Sequence, residues 1–242
     1  MILDNFPKKR PELPQAYKDI YDLHYNRNRS GETKATSLSM KMEQWLHKKV
    51  AEDVLLNGKE TLEIGAGNLN QLPYEPKVDN YDVVEPFDAL LENSEHKNRI
   101  RSFYKDILEI NDRKYDRITS VATFEHILDL PLVVAKAILL MKEGANLRAS
   151  IPNEGTLFWT LGSMITGAEF KKMYGLDYKV LTKHEHVNSS FEIEAVLRYF
   201  FTDVELSVLG LSRKFAFYVF LSCRKPNIDK AKALLESRGI VI

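Results

Sequence analysis

Cysteine is all but missing: Cys223 is the single one among 242 residues. That excludes an intrachain disulfide framework and any cysteine-built zinc cluster, and it fits a reducing compartment. An excess of either charge is missing as well, because 34 Lys+Arg balance 34 Asp+Glu. A phosphate-tracking surface normally carries a basic excess, so nucleic acid is not expected as a partner. Long apolar runs are absent too; stretches such as FAFYVFLSC at 215–223 are about half of the ~20 residues that a bilayer span needs. The opening MILDNFPKKRPELPQ has no apolar signal-peptide core. The expectation is a cytoplasmic protein with no integral membrane segment and a small-molecule ligand. Its 44% apolar and 28% charged residues are the shares of a globular chain with a full core, and the length fits one domain with a small lid.

No internal repeat is visible. Residues 1–15 are rich in Pro and Lys and read as a loose arm, followed by a polar, aromatic stretch at 16–37. Ser39 reads as an N-cap of a helix carrying Met40, Trp45, Leu46, Val50, Val54 and Leu55, ended by Gly58. From Glu60 the pattern becomes short apolar runs alternating with helices. Strands are expected at 61–64, 81–84, 99–104, 116–122 and 147–151, with a helix at 130–142 closed by Gly144 at its C′ position. Such alternation implies a parallel sheet covered on both faces. A helix at about 190–200 then precedes two consecutive strands, 203–209 and 215–223, close enough for an antiparallel hairpin. A helical tail follows at 227–238. The expected fold is α/β, a mostly parallel sheet finished by that hairpin. Its parts are an N-terminal arm and helical cap (1–58), a core (59–223) and a C-terminal tail helix (224–242). Residues 152–188 fit neither a strand nor a plain crossover helix. They read as a lid or substrate-binding insertion over the carboxyl ends of the strands, where open α/β sheets bind ligands.

Three features coincide at those strand ends. Gly65 and Gly67 follow the first strand and allow a sharp turn with close backbone approach to a ligand. Glu85 ends the second strand, where a carboxylate can accept both hydroxyls of an adenosine ribose. Asp106 follows the third, within reach of an adenine amine. A dinucleotide site wants GxGxxG opening a full helix whose N-terminus holds the pyrophosphate. Here the third glycine position of that pattern is Asn70, and residues 68–80 include Pro73 and Pro76. A Walker GK[ST] is absent. A phosphate-free adenosine ligand is preferred; a nicotinamide-dependent oxidoreductase and a non-catalytic binding module are the alternatives.

LEIGAG (62–67), VVEPF (83–87), KDI (105–107), YDRITSVATFEHI (115–127) and LLMKEGANLRASIPNEG (139–155) resemble the successive motifs of class I S-adenosylmethionine-dependent methyltransferases. The resemblance covers about 60–223. It implies a Rossmann-like seven-stranded sheet with Gly65 and Gly67 at the cofactor's amino-acid end. Glu85 would lie on the ribose, and Asp106 and Ile107 by the adenine. It departs at Leu69, where the family commonly has a third glycine. EHI, IPNE and HEHVN further resemble bacterial small-molecule and sugar methyltransferases, including some encoded with surface-polysaccharide enzymes. Methyl transfer to an oxygen of a sugar or sugar-derived metabolite is therefore expected.

A hydroxyl acceptor must lose a proton, which suits a nearby His or carboxylate. The candidates are His126 after strand four and His184 and His186 in the insertion, flanked by Glu125 and Glu185. Each can instead order a loop by bonding its carbonyls. The H-x-H pair with Glu185 and Asp177 makes a poor metal set, so no metal is expected. Glu63 would orient the Gly65 loop or meet the cofactor's amino group. Tyr17, Tyr21, Tyr25, Asn26, Arg27 and Arg29 are either a cap over the cofactor or ordinary helix and loop residues. Phe158, Trp159 and Phe170 read as lid packing, Gly162–Gly167 as lid flexibility, and Lys8-Lys9-Arg10 and Lys171-Lys172 as solvated surface.

Overall fold

The computed structural model describes residues 2–21, 37–53, 59–77, 80–92 and 94–241. Tyr25, Asn26, Arg27, Arg29, Val54, Leu55, Gly58 and the Phe158 side chain lie outside what is described. The strands are β1 (Thr61–Ile64), β2 (Tyr81–Val84), β3 (Ser102–Tyr104), β4 (Tyr115–Val121), β5 (Met141–Pro152), β6 (Phe201–Ser212) and β7 (Phe215–Pro226). They form one sheet in the order β3-β2-β1-β4-β5-β7-β6. The first five pair in parallel, and β7 runs antiparallel between β5 and β6. The helices are α1 (15–21), then α2 (Ser37–Ala51), α3 (Asp88–Glu92), α4 (Leu130–Leu140), α5 (Leu157–Tyr174), α6 (Tyr178–Glu185), α7 (Ser190–Phe200) and α8 (Ile228–Ser237). None is long and apolar enough to cross a membrane among the described residues.

The two faces of the sheet are covered differently. Leu62, Ile64, Ile118, Leu147 and Ala149 form an apolar face against Val134 and Ile138 of α4, Val196 and Phe200 of α7 and Leu235 of α8. The opposite face carries charge under α2. Arg117 is fully buried, bound to Asp53 at 2.8 Å and Glu75 at 2.9 Å, and donates to the Val50 carbonyl. Arg148 donates to the carbonyls of Val50 and Lys49. Two arginines thus satisfy the orphan carbonyls and negative dipole end of α2. Burial alone would raise the Asp53 pKa, but Arg117 and Arg148 hold it below the usual range.

Several boundaries differ from the sequence reading. Ser39 lies inside α2 and is not its N-cap. The fourth helix stops at Leu140, with Met141 already extended. Gly144 (φ +75°) is no helix cap; it sits in a bulge where β5 pairs at Met141 and next at Asn146, and its left-handed backbone permits the extra residues. The third strand is short because Lys97–Arg99 forms a 3-10 turn. Of the hairpin strands, β6 is longer than expected at both ends, while β7 starts at Phe215 as expected and runs three residues further, to Pro226. Segment 152–188 is largely helical, α5 and α6, separated by Gly175 in the left-handed conformation and an N-capping Asp177.

Candidate active site

At the carboxyl ends of β1, β2 and β3 the chain makes a tight carboxylate-centred loop. Gly65 (φ +73°) and Gly67 (φ +51°) take the left-handed backbone that glycine tolerates. The Gly65 amide donates to the Val84 carbonyl at 2.8 Å, tying the turn to β2. A Cβ on Gly65 would lie 2.1 Å from the Thr123 Cγ2, so Thr123 closes the turn from the β4 side; its hydroxyl donates to the Gly65 carbonyl at 3.1 Å. Glu85 is buried and accepts from the amides of Gly67 at 2.8 Å and Phe87 at 3.1 Å. A carboxylate has about four acceptor positions, so two bonds leave capacity for two ligand hydroxyls. Asp106 accepts from the Leu108 amide at 2.8 Å as a cap, on an exposed edge. The Ile107 side chain is buried in the main core.

Glu63 is inside the molecule, with the Tyr81 hydroxyl donating to it at 2.9 Å. Burial pushes its carboxyl up to about 8, with Glu75 and Glu85 adding to the shift and Tyr81 and Arg117 opposing it. Leu69 keeps the left-handed backbone (φ +65°) and is fully buried with Ala66, Leu72, Tyr81, Val83 and Leu91.

A second cluster lies next to this loop, two residues beyond Thr123. The rings of His126 and His186 meet edge to face, centroids 4.7 Å apart. The His126 Nδ1 lies 3.0 Å from the Glu185 carbonyl oxygen. The His186 Nδ1 pairs with the Glu154 carboxylate. Glu125 is 2% exposed, and burial pushes its carboxyl up to about 7 against the opposing charge of His186. Burial would lower the His186 pKa, yet the bond to Glu154 and the charges of Glu154, Glu125 and Glu185 raise it. Trp159 stands over His186 and Tyr218 at 6.4 and 6.3 Å. His184 faces elsewhere: its Nδ1 is 2.6 Å from the Pro11 carbonyl oxygen and its ring packs on Tyr21.

The cluster exists because 184–188 is stitched onto the loop after β4. The amides of Val187 and Asn188 donate to the Glu125 carbonyl, and the Asn188 side chain donates to those of Phe124 and Ile127. The N-terminal segment adds a strap. Arg10 donates to the carbonyls of His126, His184 and Glu185 at 2.7–3.0 Å. Lys8 bonds the Val187 carbonyl and Glu192. Expected as a loose arm with a solvated basic run, this segment is pinned by those two side chains. A cavity of about 570 Å³ between α4 and α8, lined by Lys114, Lys136, Met141 and Leu235, lies by the amino ends of β4 and β5 and shares no lining residue with this site.

A family model described as a methyltransferase domain matches residues 37–202, which includes every strand from β1 to β5 and both clusters. The chain belongs to the methyltransferase-domain family. Its fold is shared by solved methyltransferases at low identity. A SAM-dependent methyltransferase from Thermotoga maritima is 17% identical, with 87% of this chain and 98% of that one covered at a TM-score of 0.55. Magnesium protoporphyrin IX methyltransferase from Synechocystis PCC 6803, with bound S-adenosylhomocysteine, is 12% identical, covering 86% and 96% at 0.55. An O-methyltransferase family protein from Burkholderia thailandensis is 18% identical, covering 92% and 68% at 0.54. No curated protein sequence matches the chain significantly.

The structure gathers Gly65, Gly67 and Glu85, all singled out in the sequence, into one loop and His126 and His186 into one cluster; three residues that bond to these clusters were not singled out. Thr123 and Glu154 lie within quoted motifs, ATFEH and IPNE, and no local signal distinguished them. Arg10 acts across 116 residues or more, which no local pattern reveals.

Proposed function

We propose that this enzyme moves a methyl group from S-adenosylmethionine to an oxygen of a small polar acceptor, of the sugar or sugar-derived class. The donor site is built by Gly65, Gly67, Glu85 and Asp106, with Glu85 taking the ribose hydroxyls, Glu63 holding the turn from beneath, and Ile107 as apolar backing. Bound S-adenosylmethionine supplies an electrophilic sulfonium methyl. The chain's task is to align the acceptor about 3–3.5 Å from that carbon and to handle the proton it loses.

The observation that carries the acceptor reading is the Glu125–His126–His186–Glu154 cluster beside Thr123. A thioether or an already ionised acceptor would need no such group; a neutral hydroxyl does. Trp159 offers an aromatic face of the kind that covers the C–H side of a sugar ring. His184, turned to the strap, acts in this reading as an anchor for the N-terminal segment. Transfer of labelled methyl to a panel of sugars and nucleotide sugars tests the reading. His186→Ala is expected to lower kcat by about 10²–10⁴-fold while S-adenosylhomocysteine affinity stays near that of the wild type. Normal turnover in His186→Ala would remove the cluster from the reaction.

A further inference from the structure

We propose that Glu125, His126 and His186 bind one first-row divalent transition-metal ion, with zinc the best match, and that Glu154 positions His186 for it. This deepens the reading of the cluster given above and does not depend on which acceptor is methylated. One ligand atom from each of Glu125, His126 and His186 lies within 4.8 Å of the others. In a tetrahedral site with bonds of about 2.0–2.2 Å, ligands stand roughly 3.4 Å apart, so small side-chain rotations close the set.

Both imidazoles are already oriented as ligands. His126 donates from Nδ1 to the Glu185 carbonyl in the tautomer that leaves a lone pair on Nε2, and that atom faces the Glu125 carboxylate at 3.9 Å. His186 has its Nδ1 on the Glu154 carboxylate, which likewise leaves Nε2. A carbonyl and a carboxylate behind two histidines are the outer partners that fix ring and tautomer in metal sites. The independent observation is Glu125: it is 2% exposed, and its Oε2 is buried with no hydrogen-bond partner. An unpartnered buried carboxylate oxygen is costly, and a cation beside it removes that cost. Two imidazoles and a carboxylate suit zinc and its neighbours better than magnesium or calcium, which prefer oxygen. Three protein ligands also leave a position open, the arrangement of sites that act on an incoming oxygen. Lying next to the Thr123–Gly65 contact, the ion would take the acceptor hydroxyl and ease its proton loss; His126 and His186 would then serve as ligands.

The sequence reading set the histidine pair against Glu185 and Asp177. In the structure Asp177 caps α6 and His184 faces the strap; the partners of His186 are Glu125 and His126 from the loop after β4 and Glu154 from the loop after β5.

The test is a titration of the full chain, first dialysed against a chelator, with Co²⁺ followed by visible absorption and with Zn²⁺ by calorimetry. One ion per chain is expected, with the intense d–d bands of a low-coordinate nitrogen and oxygen site. Glu125→Gln and His186→Ala, checked for folding by circular dichroism, should weaken binding at least tenfold. Glu154→Gln should weaken it by about 10–100-fold, and His96→Ala should leave it unchanged. Absence of saturable binding to the folded wild type would overturn the proposal, as would folded cluster variants that bind like the wild type. Because the ion is read directly, failure here leaves the methyl-transfer reading standing, and failure to bind S-adenosylhomocysteine leaves this one standing.

Discussion

Leu69 occupies the position where related glycine loops commonly carry a third glycine, and it keeps the left-handed backbone with a fully buried side chain. The left-handed conformation costs about 1–2 kcal/mol, while deleting a buried leucine side chain costs about 3–5 kcal/mol. Burial wins, so Leu69→Gly should destabilise the chain by about 1–4 kcal/mol in denaturant unfolding; a stabilised variant would show that strain dominates. Glu63 gives a pH-dependent counterpart. Its folded pKa, about 8, is raised from 4.5, so its contribution to stability is complete below about pH 4.5 and is lost as pH rises through 8. The groups facing it are Tyr81, Glu75, Arg117 and Glu85. Glu63→Gln should flatten the fall in unfolding free energy, measured by urea titration, between pH 5 and pH 8 by an amount on the order of a few kcal/mol. An unchanged slope would mean that Glu63 ionises normally. Gly65, Gly67 and Glu85 were legible in the sequence because each sits a fixed step beyond a strand, where the sheet's register decides its neighbours. The meeting of His126 with His186 was not, since it depends on a segment sixty residues later folding back through Asn188.

At the scale of elements, alternation of apolar runs with helices read out the parallel half of the sheet, and consecutive β-rich runs read out the hairpin. The α5 helix was illegible because its apolar and small residues give no single face and its glycines argue against a helix. The strap was illegible for a different reason: a basic side chain that bonds distant carbonyls looks like a solvated one. Arg10 holds the loop after β4 against the end of α6 through three carbonyls. Hydrogen bonds from a charged donor are worth about 1.5–3 kcal/mol, and partial exposure places the total near the lower end. Arg10→Ala should therefore lower stability by about 1–3 kcal/mol and raise the acceptor KM more than the S-adenosylhomocysteine Kd. An unfolding midpoint equal to that of the wild type would show that the strap is not held by this residue.

Across the whole molecule, the proposed donor half and the proposed acceptor half of the site are built on different parts of the chain, and Thr123 meets Gly65 between them. Strands β1 to β3 present the glycine turn, Glu85 and Asp106. The loop after β4, the end of α6 and the N-terminal strap present the histidine cluster. The central claim is that the first half holds an adenosine-type methyl donor through Glu85. Calorimetric titration with S-adenosylhomocysteine, beside NAD and the Glu85→Ala variant, tests it most directly. The account predicts micromolar binding of S-adenosylhomocysteine alone, weakened by about 1.5–3 kcal/mol in Glu85→Ala. No binding to the folded wild type, or equal affinity in the variant, would contradict it.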